Sequence, residues 1–286
     1  MIVIESAGIT DIGKKRQGNE DALFFDDALG LYVVADGMGG HRAGEIASKL
    51  VVDTISKYIR QASNNGDGDH NFASDNSLSR EANILLSGIY LSNKVVHEAS
   101  LENEDCRGMG STVSAVYFTA GTLIAANVGD SPIYLIRDGQ IKLISKLHTV
   151  LAEQQALNPA NAKKLGMEFR HVLTRAMGTE DSVKVDIYEI QCFKDDILVI
   201  SSDGLSDKAL PEEIFKLVNQ NGLQTACQRL VKLANDRGGD DNVTAIVLKV
   251  KMVKNARISL DRLLTTVKRF FYRYLSQKRI SFDKRN

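Results

Sequence analysis

The sequence predicts an α+β fold in which helices cover antiparallel β-sheets. Short runs rich in β-branched and apolar residues, each bounded by Gly, Asp or Asn, have the composition of strands. They lie at 31–35, 111–118, 122–128, 132–137, 183–190, 197–201 and 243–250. Tight turns inside YFTAGTLI and IYLIRDGQIKLI favour hairpins over alternating βαβ units. Two longer stretches carry apolar residues at helical spacing and predict helices packed on the sheets.

In chain order, the apolar run LYVVA at 31–35 precedes the first helix, where Ala43, Leu50 and Tyr58 belong to one apolar face. The second helix, with Leu85 and Val96 on its apolar face, precedes the longest uncharged stretch. That stretch, 109–129, contains Gly, Ser and Thr and a central AGT turn, so it predicts a hairpin rather than a membrane-spanning helix. Two further helices are predicted at 211–219 and 223–236, before the last strand.

The composition predicts a soluble protein of the cytoplasm. Apolar residues make up 43% and charged residues 25% of the 286 residues, as in ordinary globular proteins. The three cysteines lie far apart without a CxxC pair, which argues against a disulfide framework, a thiolate zinc site and a redox motif. The N-terminal sequence MIVIESAGIT lacks the features of a secretion signal.

Four stretches place an acidic residue beside Gly or Asn where an apolar strand begins or ends. They are RQGNED, VVADGMGGHRAGE, VISSDGLSD and GGDDNVTAIVL, starting at residues 16, 33, 199 and 238. A single Asp-Gly pair is first of all a turn signal. Repeated burial of Asp behind strands would create like-charge repulsion, which bound cations compensate. Oxygen-only ligands favour Mg²⁺ and Mn²⁺ over zinc.

Together these stretches resemble the PPM, or type 2C, metal-dependent protein phosphatases, in particular the bacterial branch. The resemblance runs from Gly8 to Val250 and includes, in family order, GKKRQGNED, VVADGMGGHRAGEIAS, GMGSTVSAV, AANVGDSPIYLIRDG, VLTRAMG, DDILVISSDGLSD and GGDDNVT. It implies a four-layer α/β/β/α sandwich, two antiparallel sheets flanked by helices, with a binuclear metal site at one end. It also implies hydrolysis of phosphoserine and phosphothreonine in proteins, reversing the action of serine/threonine kinases.

The resemblance assigns roles to residues of the binuclear site, which would hold two Mn²⁺ or Mg²⁺ ions. Asp36 is expected to bridge the two metals, and the carbonyl of Gly37 to bind one of them. Asp203 and Asp241 complete the site. The first motif adds Glu20 and Asp21, which hold coordinated waters or metal.

Other positions of the resemblance concern phosphate and a third ion. Arg16 matches the arginine that grips the substrate phosphate, for which a planar guanidinium is well suited. Asp130, with Asp203 and Asp207, matches a weaker third metal site. Asn242 is expected to orient the last loop.

The implied mechanism uses water as the nucleophile, held between the two cations and attacking phosphorus in line. No Ser, Cys or His nucleophile is required. The proton donor to the leaving oxygen stays open: some family members have a histidine where this chain has Met38. His41 nearby is one candidate, and metal-bound water is the other.

Two departures from the family pattern affect the surroundings of the site. Pro132 stands where the family commonly has Arg, and Leu147 precedes His148 where an Asp is usual. Both lie outside the binuclear ligand set. The segment 146–172 corresponds to the variable flap, which is predicted to be a mobile loop with a short helix that selects substrates.

The chain divides by charge into a phosphatase domain, 1–250, and a basic tail, 251–286. The tail carries 11 Lys/Arg against 2 Asp/Glu, which leaves about −9 on the rest of the chain. Leu263, Val267 and Phe271 are part of a helical repeat, so the tail predicts a basic amphipathic helix. This helix is expected to dock on the acidic domain or to contact an anionic membrane surface through the segment 258–280. Contact with a partner protein or a nucleic acid through the tail is the remaining alternative.

Three functions remain in competition at the level of sequence. The leading one is an active phosphatase whose partner is a phosphorylated protein, either a serine/threonine kinase or its target. A carboxylate-metal nuclease would also use two cations, but the acidic main domain argues against nucleic-acid binding. A phosphoprotein-binding pseudophosphatase is disfavoured because the metal-binding aspartates are retained.

Overall fold

The computed structural model describes residues 2–39, 43–64, 75–119, 121–162 and 165–253. Their strands are β1 (Ile2–Asp11), β2 (Asp21–Asp26), β3 (Leu31–Met38), β4 (Gly110–Ser111), β5 (Val113–Thr119), β6 (Thr122–Val128), β7 (Ile133–Arg137), β8 (Gln140–Leu143), β9 (Asp186–Gln191), β10 (Ile197–Ser201) and β11 (Val243–Val253). One sheet has the order β1-β11-β10-β7-β8. The other has the order β2-β3-β5-β6-β9, and β4 pairs with β3. All these pairings are antiparallel, as predicted.

The described helices are α1 (Ala43–Asn64), α2 (Arg80–Glu102), α3 (Val150–Leu157), α4 (Pro159–Ala162), α5 (Asp203–Ser206), α6 (Pro211–Gln220) and α7 (Leu223–Asp236), with 3₁₀ turns at Glu104–Cys106 and Met167–Arg170. The outer face of one sheet is covered by α1 and α2, and that of the other by α6 and α7. The Ser79 hydroxyl begins α2 by accepting the Ala82 N–H at 3.1 Å, which satisfies one free donor of the first turn. Every helix of the described residues is too short or too polar to cross a bilayer.

Three apolar layers hold the sandwich together. Tyr32, Leu198 and Ile246 are fully buried between the two sheets. A second layer lies between the β3 sheet and the helices α1 and α2, and a third between the β1 sheet and the helices α6 and α7. The run LYVVA is buried at every position because β3 has apolar neighbours on both faces. The four-layer α/β/β/α sandwich is thereby confirmed.

The predicted hairpin in the uncharged stretch is present. β5 and β6 pair from Val113 opposite Val128 to Thr119 opposite Thr122. The predicted helices near the C-terminal end of the domain also form, as α6 and α7.

Two strands near the N-terminus have no counterpart among the predicted ones. β1 is an edge strand whose residues are mostly half-buried or exposed, and its register shifts between Val3 and Ile4. It contains Ser6 and Gly8, so its apolar alternation is weak. β1 ends at Asp11 and β2 begins at Asp21, so the two strands hold the loop of residues 12–20 at one edge of the sandwich.

Some predictions fall on residues outside the described ranges. They are the proton-donor candidate His41 and nearly all of the basic tail, from residue 254 onward. The boundary between domain and tail also stays a prediction; β11 continues to Val253, slightly past the predicted boundary at 250.

Candidate metal centre

Carboxylates from both sheets meet at one end of the sandwich. Asp21 is the first residue of β2 and stands opposite Asp36, near the end of β3. From the other sheet, Asp203 follows β10 and begins α5, while Asp241 precedes β11. Because β10 and β11 are antiparallel neighbours, the end of one and the start of the next lie side by side. The packing of the two sheets thus brings together acidic residues that are far apart in the chain.

These residues surround a cavity of about 980 Å³. Its lining includes the acidic residues Glu20, Asp36, Asp130, Asp203, Asp207, Asp240 and Asp241. Cationic side chains are present as well, namely Arg16, His171, Arg175 and Lys208. Asp21 lies behind this surface, only 8% exposed, where its Oδ2 accepts the Ser202 hydroxyl at 2.7 Å.

The crowding of carboxylates changes their protonation. Burial raises the pKa of Asp36 well above its usual range, and the charges of Asp21 and Asp203 raise it further. Burial likewise raises the pKa of Asp21 to about 7 and that of Asp130 to about 7, with Asp203 adding to both. The pKa values of Glu20 and Asp207 are raised by burial too. The neighbouring cations do not offset this crowding: the pKa of Glu20 stays raised although Arg16 lowers it, and that of Asp207 stays raised although Arg170 and His171 lower it.

Three of the buried carboxylate oxygens lack a hydrogen-bond donor among the described residues: Glu20 Oε1, Asp21 Oδ1 and Asp203 Oδ1. A buried charged oxygen without a partner is costly. A divalent cation would satisfy such oxygens, and an all-carboxylate set suits hard ions such as Mn²⁺ and Mg²⁺. The donor set therefore fits the predicted metals.

Asn242 ties the first motif to the last one. Its Oδ1 accepts the Glu20 N–H at 2.8 Å, and its Nδ2 donates to the carbonyls of Ile12 and Gly18 at 2.9 and 3.0 Å. The buried amide thereby fixes the loop that carries Arg16. Within that loop the Arg16 Nη2 lies 2.7 Å from Asp241 Oδ2 at the cavity wall. The observed contacts of the Asn242 side chain are with this first loop, whereas the predicted role concerned the last loop and stays a prediction.

Two glycines allow the end of β3 to lie against the start of α1. A Cβ atom on Gly37 would stand 2.0 Å from the carbonyl oxygen of Gly44. A Cβ atom on Gly44 would stand 2.6 Å from Glu20 Oε1. Real Cβ atoms do not approach so closely, so the backbone after Asp36 needs glycine for steric reasons.

The flap brings two residues to the cavity that the sequence did not single out. Arg170 Nη2 lies 2.5 Å from Asp207 Oδ1, at the end of the 3₁₀ turn. His171 stands between two acids, with Nε2 3.2 Å from Asp207 Oδ2 and Nδ1 3.5 Å from Asp203 Oδ2. Hydrogen bonding to Asp203 raises the pKa of His171. The spacing of residues gave no signal for this pairing, because His171 is distant in the chain from both acids.

His171 also belongs to a group with ligand geometry. One ligand atom each of Asp130, His171 and Asp203 lie within 4.8 Å of one another, close enough to surround one cation. The family resemblance predicts Asp130, Asp203 and Asp207 as the ligands of a third ion, whereas this group contains His171 in place of Asp207. In the structure Asp207 lies beside them, paired with the two flap residues.

Each predicted site residue within the described ranges is thus at this end of the sandwich. Glu20, Asp36, Gly37, Asp130, Asp203, Asp207 and Asp241 line the cavity together with Arg16, and Asp21 lies directly behind them. The metal-binding and phosphate-binding roles of these residues stay predictions. His41 is outside the described ranges.

Comparison with known proteins identifies the family. A family model described as protein phosphatase 2C matches residues 13–247. The serine/threonine phosphatase stp of Listeria innocua is 29% identical over 258 residues, or 87% of this chain and 96% of that protein. The structure of the serine/threonine phosphatase Stp1 from Staphylococcus aureus is similar with a TM-score of 0.72 and 30% identity, over 87% of this chain and 96% of that one. The catalytic domain of the phosphatase PstP in complex with 2 manganese ions has a TM-score of 0.74 and 28% identity, over 88% and 100% of the two chains.

These similarities confirm what the ordered motifs predicted. The family model spans most of the chain, and the matching structures are similar in fold to this chain over most of its length. The predicted enzyme class, a metal-dependent protein serine/threonine phosphatase, is confirmed with them. The chain therefore belongs to the protein phosphatase 2C family.

Proposed function

We propose that the chain hydrolyses phosphoserine and phosphothreonine in proteins and does so with two bound Mn²⁺ or Mg²⁺ ions. The observation that carries this proposal is the set of buried carboxylate oxygens that have no hydrogen-bond partner among the described residues, in a chain of this family. Either ion suits the donor set, since both prefer oxygen ligands. When bound, the cations supply a water of lowered pKa and neutralise charge on the phosphoryl oxygens.

The role proposed for each residue follows from the position of its side chain. Asp36, Asp203, Asp241 and the Gly37 carbonyl would hold the two ions, with Glu20 and Asp21 holding coordinated waters or metal. Asp203 Oδ1 and Asp21 Oδ1 have no hydrogen-bond donor in the part of the chain that the structure describes, which supports these assignments. A third, weaker ion would lie at Asp130 and Asp203, near Asp207.

Arg16 is proposed to hold the substrate phosphate. Its side chain is 47% exposed and lies at the cavity wall beside Asp241, so its fork of N–H donors can reach a ligand there. A guanidinium binds two phosphate oxygens at once, which orients phosphorus for attack by water. For the leaving oxygen, His41 and a water molecule are the two candidate proton donors.

The proposed substrate is a phosphorylated protein, a serine/threonine kinase or one of its targets, in the cytoplasm. Support for a reducing compartment comes from Cys106, Cys192 and Cys227, which are all unpaired and buried.

Hydrolysis of a phosphothreonine peptide tests this function. The parent protein should be active with Mn²⁺ and with Mg²⁺ and inactive with a chelator. Asp203→Asn should lower kcat/KM by about 10²-fold or more, because a neutral amide oxygen binds a divalent cation more weakly than a carboxylate does. Asp53→Asn, on the exposed side of α1 and paired with Lys57, is the matched control and should leave turnover unchanged. Metal-independent turnover, or full activity of Asp203→Asn, would show that the proposed chemistry is wrong.

A second prediction concerns Arg16. Arg16→Lys keeps the positive charge but loses the planar fork, so kcat/KM should fall about tenfold to a hundredfold. The same exchange at Arg60, which pairs with Asp26 away from the cavity, should have no effect. Steady-state kinetics on the phosphopeptide measure both. Equal activity of Arg16→Lys and the parent would mean that bidentate phosphate contact is not part of catalysis.

A further inference from the structure

The turn before Asp130 is held by a histidine that has no role in the proposed chemistry. His148 is fully buried, and its Nδ1 accepts the N–H of Gly129 at 3.0 Å. In return the backbone N–H of His148 donates to the Gly129 carbonyl at 3.0 Å. Two hydrogen bonds in opposite directions therefore join one residue to the turn that presents Asp130 to the cavity.

These hydrogen bonds matter at Gly129, because the residue on the other side of Asp130 is held separately. The Ser131 carbonyl accepts the Ser114 hydroxyl at 2.5 Å, and the Ser131 hydroxyl lies 2.8 Å from Thr112 Oγ1. Gly129 has φ of +102°, a conformation that side-chain-bearing residues rarely adopt. A Cβ there would stand 2.6 Å from Thr112 Cγ2, so packing leaves room only for glycine. Without a side chain, the position of Gly129 depends on its backbone hydrogen bonds. Asn127 Nδ2 adds a longer one to the same carbonyl, at 3.3 Å.

The hydrogen bond from Gly129 also determines which nitrogen of the His148 ring carries the proton. Since Nδ1 accepts a backbone N–H, the ring proton is on Nε2, which donates to Asp186 Oδ2 at 2.9 Å. Burial lowers the pKa of His148, which keeps the ring neutral. Arg175 Nη1 lies 3.1 Å from Nε2, but both are donors, so the guanidinium is directed at Asp186 Oδ1, 3.4 Å away.

His148 also begins the base of the flap. Its carbonyl accepts the Thr174 N–H at 2.9 Å, and Thr149 forms a β-bridge with Leu173. One residue further, the Val150 N–H donates to the Val172 carbonyl at 2.9 Å. This short ladder ends next to His171 and Arg170, which contact Asp203 and Asp207. His148 thus contacts both the Asp130 turn and the backbone at the base of the flap.

We infer that His148 is a positioning residue, whose ring holds the Gly129–Asp130 turn in register with the base of the flap. The inference rests on the proposed function in one respect, the assignment of Asp130 to the metal centre. It gives the segment 146–172 a fixed point: the His148 ring holds the Gly129 turn, and the His148 carbonyl holds the base of the flap.

Two substitutions separate the two ends of the ring. In His148→Asn the Oδ1 occupies the place of Nδ1 and can accept the Gly129 N–H, while the donor to Asp186 is lost. In His148→Gln the Nε2 can still donate to Asp186, while the acceptor for Gly129 is lost. Each variant loses one buried hydrogen bond, so both should lower the melting temperature by a similar amount. Their other effects should differ.

The readouts are hydrogen exchange of the segment that contains Gly129 and Mn²⁺ binding counted from the electron paramagnetic resonance signal of the free ion. His148→Gln should exchange faster at Gly129 and bind its weakest Mn²⁺ about tenfold less tightly, because the Asp130 turn is loosened. His148→Asn should resemble the parent in both. Equal changes in the two variants, or larger ones in His148→Asn, would show a merely structural role.

A measurement on the parent chain needs no variant. The Gly129 amide should be protected from exchange in the presence of a chelator, since its acceptor, the His148 Nδ1, is present whether or not metal is bound. An unprotected Gly129 would overturn the inference. A parent protein that binds Mn²⁺ but hydrolyses no phosphopeptide would contradict the proposed function. The Mn²⁺ affinities and the exchange rates at Gly129 would still test the positioning role of His148.

Discussion

Asp36→Asn is expected to abolish turnover and, in the absence of metal, to make the fold more stable. Asp36 lies among the carboxylates of Asp21, Asp203, Asp241 and Asp130, and burial together with these charges raises its pKa well above the usual range. Replacing it by a neutral amide of similar size removes like-charge repulsion. The free energy of unfolding without metal should rise on the order of 2 kcal/mol. Turnover should fall by about 10³-fold or more, since a carboxylate that would hold the ions is gone.

Urea unfolding in a chelator, alongside phosphopeptide kinetics in Mn²⁺, measures the two effects of Asp36→Asn. Asp53→Asn removes one negative charge from an exposed helix position and should change neither quantity. Added Mn²⁺ should stabilise the parent strongly and the Asp36→Asn variant weakly, because ligands stabilise only the state that binds them. If Asp36→Asn is less stable than the parent without metal, burial of the Asp36 carboxyl among the other acids does not destabilise the folded chain.

The stability of the metal-free protein should fall as pH rises from about 4 to beyond 7. The pKa values of Asp21 and Asp130 are about 7 in the folded chain, compared with 3.8 for a free side chain. Between these values the folded state binds more protons than the unfolded state, so raising the pH favours unfolding. Asp36, whose pKa is also raised, extends the effect to higher pH. The contribution is fully present below pH 4 and is lost as these groups ionise.

Metal should reverse this trend. Cations bind the ionised carboxylates, so Mn²⁺ binding near pH 6 should release protons and should stabilise the fold most at pH 8. Urea unfolding at pH 5, 6, 7 and 8, with Mn²⁺ and with chelator, measures the difference, and calorimetry in buffers of different ionisation enthalpy counts the protons. Asp36→Asn should reduce the slope of metal-free stability against pH. A metal-free protein that gains stability between pH 5 and 8 would contradict the prediction.

Much of the fold follows from local pattern. LYVVA and ILVIS are recognisable as buried strands because nearly every residue is apolar, and the hairpin of β5 and β6 is marked by its turn. β1 was not predicted because an edge strand with Ser6 and Gly8 has weak alternation. Its place is determined by pairing with β11, at the other end of the domain. Such long-range pairing leaves no signature in a short window of sequence.

The sequence by itself determined the family, the enzyme class and the set of acidic residues at strand ends, because these depend on residue type and local order. Tertiary structure alone decided which of them meet. Asp21 and Asp36 face Asp203 and Asp241 because two sheets pack with their ends aligned. His171 reaches Asp203 and Asp207 because the flap folds back over them. His148 supports Gly129 through contacts formed only when the chain is compact, since hydrogen bonds between distant segments depend on packing and not on spacing.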